Sequence, residues 1–156
     1  MALDLQEKYN IQLEDLLNVR TFLDHNRIWE EPTTVNKQKT SSSTGAYAFE
    51  GVRLNNNLVS ESLKQHFKKW LPYIKKFGLL LIELHTVDPK LVAQNIGKTA
   101  ATAYDATHGY SDQYIIEISE FLEIMKEVGL TPDTDKFKKY PNSNLATVSI
   151  NLFKAS

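Results

Sequence analysis

Apolar and polar positions follow three rhythms along the chain, and each rhythm predicts an element. In "LEDLLNVRTFLDH" (13–25) apolar residues run almost without interruption until Asp24 and His25 break them, the pattern of a strand buried on both faces. "NNLVSESLKQHFKKWLPYIKKF" sets Val59, Leu63, Phe67, Leu71 and Ile74 at helical spacing. Asn57 is available there as a cap, and Pro72 is expected to bend or shorten the helix. "GLLLIELHTV" is the strongest strand signal: Gly78 ends the helix, four apolar residues follow, and polar groups appear only at Glu83 and His85. A central parallel strand suits it.

Further on, "SDQYIIEISEFLEIMKEVGL" carries Ile115, Ile118, Leu122, Met125 and Val128 on one helical stripe, with Ser111 as cap and Gly129 just past the end. "LATVSINLFKAS" alternates Val148, Ile150 and Leu152 with Thr147, Ser149 and Asn151, a strand with two unlike faces. Minor pieces are a short helix in "ALDLQEKY", an extended piece or hairpin in "GAYAFEGVRL", and an extended segment in "DKFKKYP". The polar stretch from Asn26 to Thr44 reads as a long surface loop, of the kind used as a lid, a binding loop or a disordered segment. Strands alternating with long helices predict one α/β domain over residues 1–156, with a mostly parallel sheet, helices on both faces and right-handed crossovers. In such sheets ligands bind outside the carboxyl ends of the strands.

Composition narrows the classes. The chain is ordinary for a folded domain, with 42% hydrophobic and 24% charged residues. A net charge of -1 gives no electrostatic reason to expect nucleic acid or an anionic membrane as partner. The chain has no cysteine, which excludes thiolate chemistry and suits a reducing, cytoplasmic setting. No apolar run approaches the ~20 residues of a membrane span.

The carboxyl-end rule then acts on particular residues. "FLDH" ends one strand in Asp24 and His25, "IELH" ends another in His85, and "AYDATHGYSDQY" delivers His108 and Gln113 toward the same rim. A His/His/His/Asp/Gln set suits iron, manganese or zinc, and it equally suits general-base chemistry with Asp24 or Glu83 orienting an imidazole. Against this, a histidine at a strand end is more often a hydrogen-bonded structural residue, and His66 on "KQHFKKW" reads as a surface residue. Tyr104, Tyr110 and Tyr114 are either packing or pocket lining. The six glycines, at 45, 51, 78, 97, 109 and 129, form no GxGxxG or GxxxxGK[ST] loop.

The succession "DLLNVRTFLDHNR", "FKKWLPYIKKFGLLLIELHTV", "TAATAYDATHGYSDQYIIEISEFLEIMKEVGL" and "LATVSINLFK" resembles the C-terminal half of a class I S-adenosylmethionine-dependent methyltransferase, closest to polyketide synthase-type methyltransferase domains. The resemblance implies a partial Rossmann-like methyltransferase fold with an antiparallel last strand. It implies S-adenosylmethionine as cofactor, held with a Gly-rich N-terminal half that would be a partner of this chain. It implies an acyl substrate, free or on an acyl carrier protein. It also implies catalytic roles for His85 and His108, and an iron or manganese ion held by His108, Gln113, His85 and Asp24. The competing expectations are a non-catalytic interaction module with the same fold, and a metal-dependent hydrolase or isomerase.

Overall fold

The computed structural model describes residues 1–36, 38–104 and 111–155. Helix α1 (Ala2–Tyr9) and one 3-10 turn (Leu13–Asp15) lead into strand β1 (Asn18–Thr21). A hairpin of β2 (Tyr47–Phe49) and β3 (Val52–Leu54) follows, then α2 (Asn56–Lys68), α3 (Leu71–Ile74) and β4 (Leu79–Leu84). Beyond β4 come α4 (Pro89–Gln94), α5 (Ile118–Val128), β5 (Leu130–Pro132), β6 (Lys138–Tyr140) and β7 (Val148–Ala155).

The main sheet runs β1-β4-β7-β5, with β6 also paired to β7, and β2 and β3 form a separate two-stranded sheet. Among the described strands, β1 and β4 are the parallel pair; β7 is antiparallel to β4, β5 and β6. The expected mostly parallel sheet is therefore a mixed one, because the C-terminal elements reach it through short returns that bring the chain back in the opposite sense. The antiparallel last strand is present as expected.

Local chemistry explains the boundaries. The Asn55 side chain accepts from the N–H of Asn57 and caps α2, two residues before the expected cap. Pro72 divides the helical run, and α3 starts afresh with the proline in its first turn, where its missing N–H costs nothing. Gly78 turns the chain into β4 at φ 89°, and a side-chain carbon there would come 2.4 Å from the Phe153 carbonyl oxygen. The last long helix starts at Ile118, not near Ser111. Residues 114–116 run extended instead, with Ile116 accepting from the Thr86 N–H at 3.3 Å and a parallel bridge joining Thr86 to Glu117.

Helices α2 and α5 pack together over one face of the sheet, where Val59, Leu63, Phe67, Phe121, Ile124 and Met125 meet Leu79, Leu81 and Phe153. The other face of β4 and β7 is only half-buried. Strand β1 is the outermost strand, and its Val19 is 53% exposed. The two-sided burial expected for 13–25 is thus a one-sided edge strand. Apolar residues there are continuous because Leu16, Leu17, Val19, Phe22 and Leu23 stay at the surface.

The polar loop after β1 is strapped to the core. Glu120, 1% exposed, accepts from Ser41 Oγ (2.8 Å), Ser42 Oγ (2.6 Å), Ser42 N (3.1 Å) and Ser60 Oγ (2.7 Å). Glu117 accepts from the Thr44 N–H at 2.9 Å, and Lys39 pairs with Glu123 and Glu127. Burial would raise the Glu120 carboxyl, but the hydroxyls of Ser42, Ser60 and Ser41 outweigh it and hold the group below the usual carboxylate range. Among the described residues no helix is long and apolar enough to cross a membrane.

Candidate active site

The helix-covered face of the sheet changes character along β4. At the amino end it presents Leu79 and Leu81 against Phe153 and Asn151; at the carboxyl end Glu83 lies opposite Ser149, and both are buried. Buried polar groups survive only when bonded; Ser149 bonds His85 and Asn151, and Glu83 bonds residues that follow β1.

That approach begins at Phe22. Its N–H still pairs with Ile82, but its φ of 54° is left-handed and turns the chain back over the sheet. The backbone N–H groups of Asp24 and His25 then reach Glu83 Oε2 at 3.0 and 3.3 Å, and His25 donates from Nδ1 to Glu83 Oε1 at 2.5 Å. Glu83 Oε1 also accepts from the Leu84 N–H at 2.7 Å. Both Glu83 oxygens are saturated, and pairing through Nδ1 leaves Nε2 as the ring nitrogen of His25 that Glu83 does not engage.

Asp24, 1% exposed, is the second carboxylate. Its Oδ1 accepts from Arg20 Nε and Nη2 at 2.9 and 2.8 Å and from His66 Nε2 at 2.8 Å. Burial acts to raise its carboxyl, yet the bonds from His66 and Arg20 prevail and keep it below the ordinary value. Its Oδ2 is buried and meets no partner among the described residues, and the same is true of the Tyr114 hydroxyl. Asp24, His25, Glu83, His85, Tyr114 and Phe121 enclose a cavity of about 10 Å³, at the lower limit for one water molecule. Tyr114 closes it from the far side by donating its N–H to the His25 carbonyl at 2.7 Å.

His85 shares this rim but not its openness. Its Nδ1 donates to the Ile116 carbonyl at 3.1 Å, and its Nε2 accepts from Ser149 Oγ at 2.7 Å. Complete burial pushes its pKa down to about 3, so it is a neutral imidazole with both nitrogens in use. Arg27, 7% exposed, spans from the rim to α2 and donates to the Asp24 carbonyl, the Val59 carbonyl and Ser62 Oγ.

The expected residues therefore divide. Asp24, His25 and His85 meet at one rim, as the pattern of strand ends implied. Gln113 lies in the extended run beside Tyr114, outside any helical turn. His108 lies outside the described residues. Of the expected metal set, His85 has both ring nitrogens engaged and Asp24 Oδ1 accepts from Arg20 and His66, while Asp24 Oδ2 has no partner among the described residues. Among the described residues no three His, Asp or Glu side chains gather as metal ligands, so no step is routed through iron or manganese.

Sequence reasoning passed over His66, Arg20 and Arg27. The four-residue spacing of Arg20 and Asp24 offered no hint, since it lies in a strand and turn. His66 meets Asp24 only because α2 folds back across the sheet.

Over residues 1–151 the chain matches the AprA MT2-like domain family of methyltransferases. It belongs to that family. No curated protein matches the chain. The family implies S-adenosylmethionine as methyl donor. The unpartnered Oδ2 of the buried Asp24 is an acceptor, facing a cavity with room for no more than one water molecule. A glycine-rich turn to cradle the donor's remainder is not found in the sequence.

Proposed function

We propose that this domain is the substrate-side portion of a polyketide-type methyltransferase, in which the His25–Glu83 pair removes the proton from the methyl acceptor. The observation that carries this is the placement of an imidazole, oriented by Glu83 of β4, beside an ionised aspartate just past the carboxyl end of the adjacent parallel strand β1. S-adenosylmethionine, when bound, supplies an electrophilic methyl group. Glu83 holds the Nδ1 proton of His25, so Nε2 is left as the base, the tautomer a proton acceptor needs. The Asp24 charge, sustained by Arg20 and His66, favours a cationic neighbour. An acyl group, free or thioester-linked to an acyl carrier protein, is the acceptor class whose acidic carbon such a base can deprotonate. His25, rather than His85, is the working imidazole; His108 keeps its proposed catalytic role.

The glycine-rich portion that completes cofactor binding is proposed to pair along the unpaired edge of β1. Parallel strands seldom lie bare at an edge, and here Leu17, Val19, Phe22 and Leu23 surround the bare strand. That same surface favours the second reading, an interaction module whose chemistry has been lost.

Methyl transfer to the N-acetylcysteamine thioester of a β-keto acid, measured with the chain joined by its glycine-rich portion, separates the two. His25→Gln is expected to lower kcat by about 10²–10⁴-fold with KM little changed. Full activity in His25→Gln would remove the base assignment; no transfer by the wild-type assembly would favour the interaction module.

A further inference from the structure

A second cavity, of about 530 Å³, opens between the exposed side of β1 and the outer side of α2. Asp24 stands between it and the small enclosed one: the carboxylate lines the latter, and its partners Arg20 and His66 line the former. The wall is divided by chemistry. Arg20, Arg27 and Lys69 bring fixed positive charge, whereas Leu23, Ile28 and Trp70 present apolar surface. Leu23 is 51% and Ile28 88% exposed, and neither has a core partner to explain it.

The charges do not cancel evenly. Arg20 is matched by Asp24, and Lys69 by Glu30. Arg27 makes no ion pair among the described residues: its three hydrogen bonds go to two carbonyls and a serine hydroxyl, and its face lies 5.1 Å from the Tyr114 ring. A guanidinium has five N–H donors, so two remain. Burying a cation without an anion in contact is costly. Here burial is strong enough to pull Arg27 down to about 10, with Asp24, Tyr114, Tyr47 and Glu83 opposing that from beyond contact distance. Arg20 lies 4.3 Å over the Trp70 ring and is thereby held flat at the cavity wall.

We propose that this cavity binds an anionic amphiphile, a carboxylate or phosphate at one end of an apolar chain, with the anion received by Arg20 and Arg27 and the chain lying on Leu23, Ile28 and Trp70. Planar guanidinium forks match the oxygens of either anion. The site stands independently of methyl transfer.

Titration calorimetry of the full chain with octanoate, octyl phosphate, octan-1-ol and inorganic phosphate tests it. At least one of the two anionic amphiphiles is expected to bind about ten-fold or more tighter than octan-1-ol and than inorganic phosphate. Which of them binds more tightly identifies the anion. Lys69→Gln and Leu23→Asp, both at the surface, are expected to weaken binding several-fold, and Glu30→Gln, which removes the competing carboxylate, to strengthen it. Arg20→Gln is expected to weaken it about ten-fold, with circular dichroism verifying its fold. Octan-1-ol binding as tightly as the anions would leave only an apolar groove, and binding indifferent to all four substitutions would place the ligand elsewhere; either result overturns the proposal.

Discussion

Two buried carboxylates on neighbouring elements were built to opposite ends. Glu120 receives three serine hydroxyls and a backbone N–H, so that every lone pair with a role in the fold is occupied. Asp24 is equally buried and its carboxyl is likewise lowered, yet all of its side-chain bonds converge on Oδ1, and Oδ2 has no partner among the described residues. A satisfied carboxylate ties a loop to a helix. One left half satisfied, beside an oriented imidazole, is held ready for something else.

The sharpest way to break this contrast is to remove each carboxylate in turn. Glu120→Ala strands three hydroxyls and releases the strap at 41–44, and it is expected to cost about 2–4 kcal/mol in urea unfolding. Asp24→Asn keeps the shape, and its loss of charge, which weakens the bonds from Arg20 and His66, is expected to cost about 1–2 kcal/mol while lowering affinity for the methyl donor. Equal stability losses, with unchanged donor affinity in Asp24→Asn, would erase the distinction.

Acid sharpens it further. Asp24 and Glu120 are both depressed in the folded state, so their contribution is complete above the unfolded carboxylate values near pH 4 and fades as pH falls through the folded ones. His85 works at higher pH. Its folded value of about 3 lies below the ordinary 6.5, so from pH 6.5 downward the unfolded chain takes up a proton that the folded chain refuses. Stability is expected to fall by up to about 1.4 kcal/mol per pH unit in that window. His85→Asn should flatten that slope and leave the carboxylate loss below pH 4 intact. The smallest effect belongs to the bare strand edge: Val19→Lys is expected to change the stability of the chain alone by less than about 0.5 kcal/mol, measured by thermal melting, while impairing any pairing along β1.

Much of the frame was legible in order of residues. The continuous run "LLLIEL" became β4, the alternation of "VSINLF" became β7, and the division at Pro72 followed from a missing N–H. The convergence of Asp24, His25 and His85 could be foreseen because strands of like direction deliver their ends to one rim. Other features were not legible. Residues 114–116 have the apolar spacing of a helix and run extended, because Thr86 and His25 capture their backbone groups. His66 looked like a surface residue because nothing in "KQHFKKW" tells which face of α2 meets the turn after β1. The strap at 41–44 looked loose because the partner of its serines lies some 80 positions away, at Glu120.

Local order, then, determined the elements and which residues come to the ends of them, since backbone periodicity and turn chemistry act over a few positions. Tertiary structure alone decided which histidine has both ring nitrogens engaged, which carboxylate is satisfied, and, among the described residues, which cation has no counterion. Those properties depend on hydrogen bonds and burial between segments far apart in the chain, and no short-range pattern encodes them.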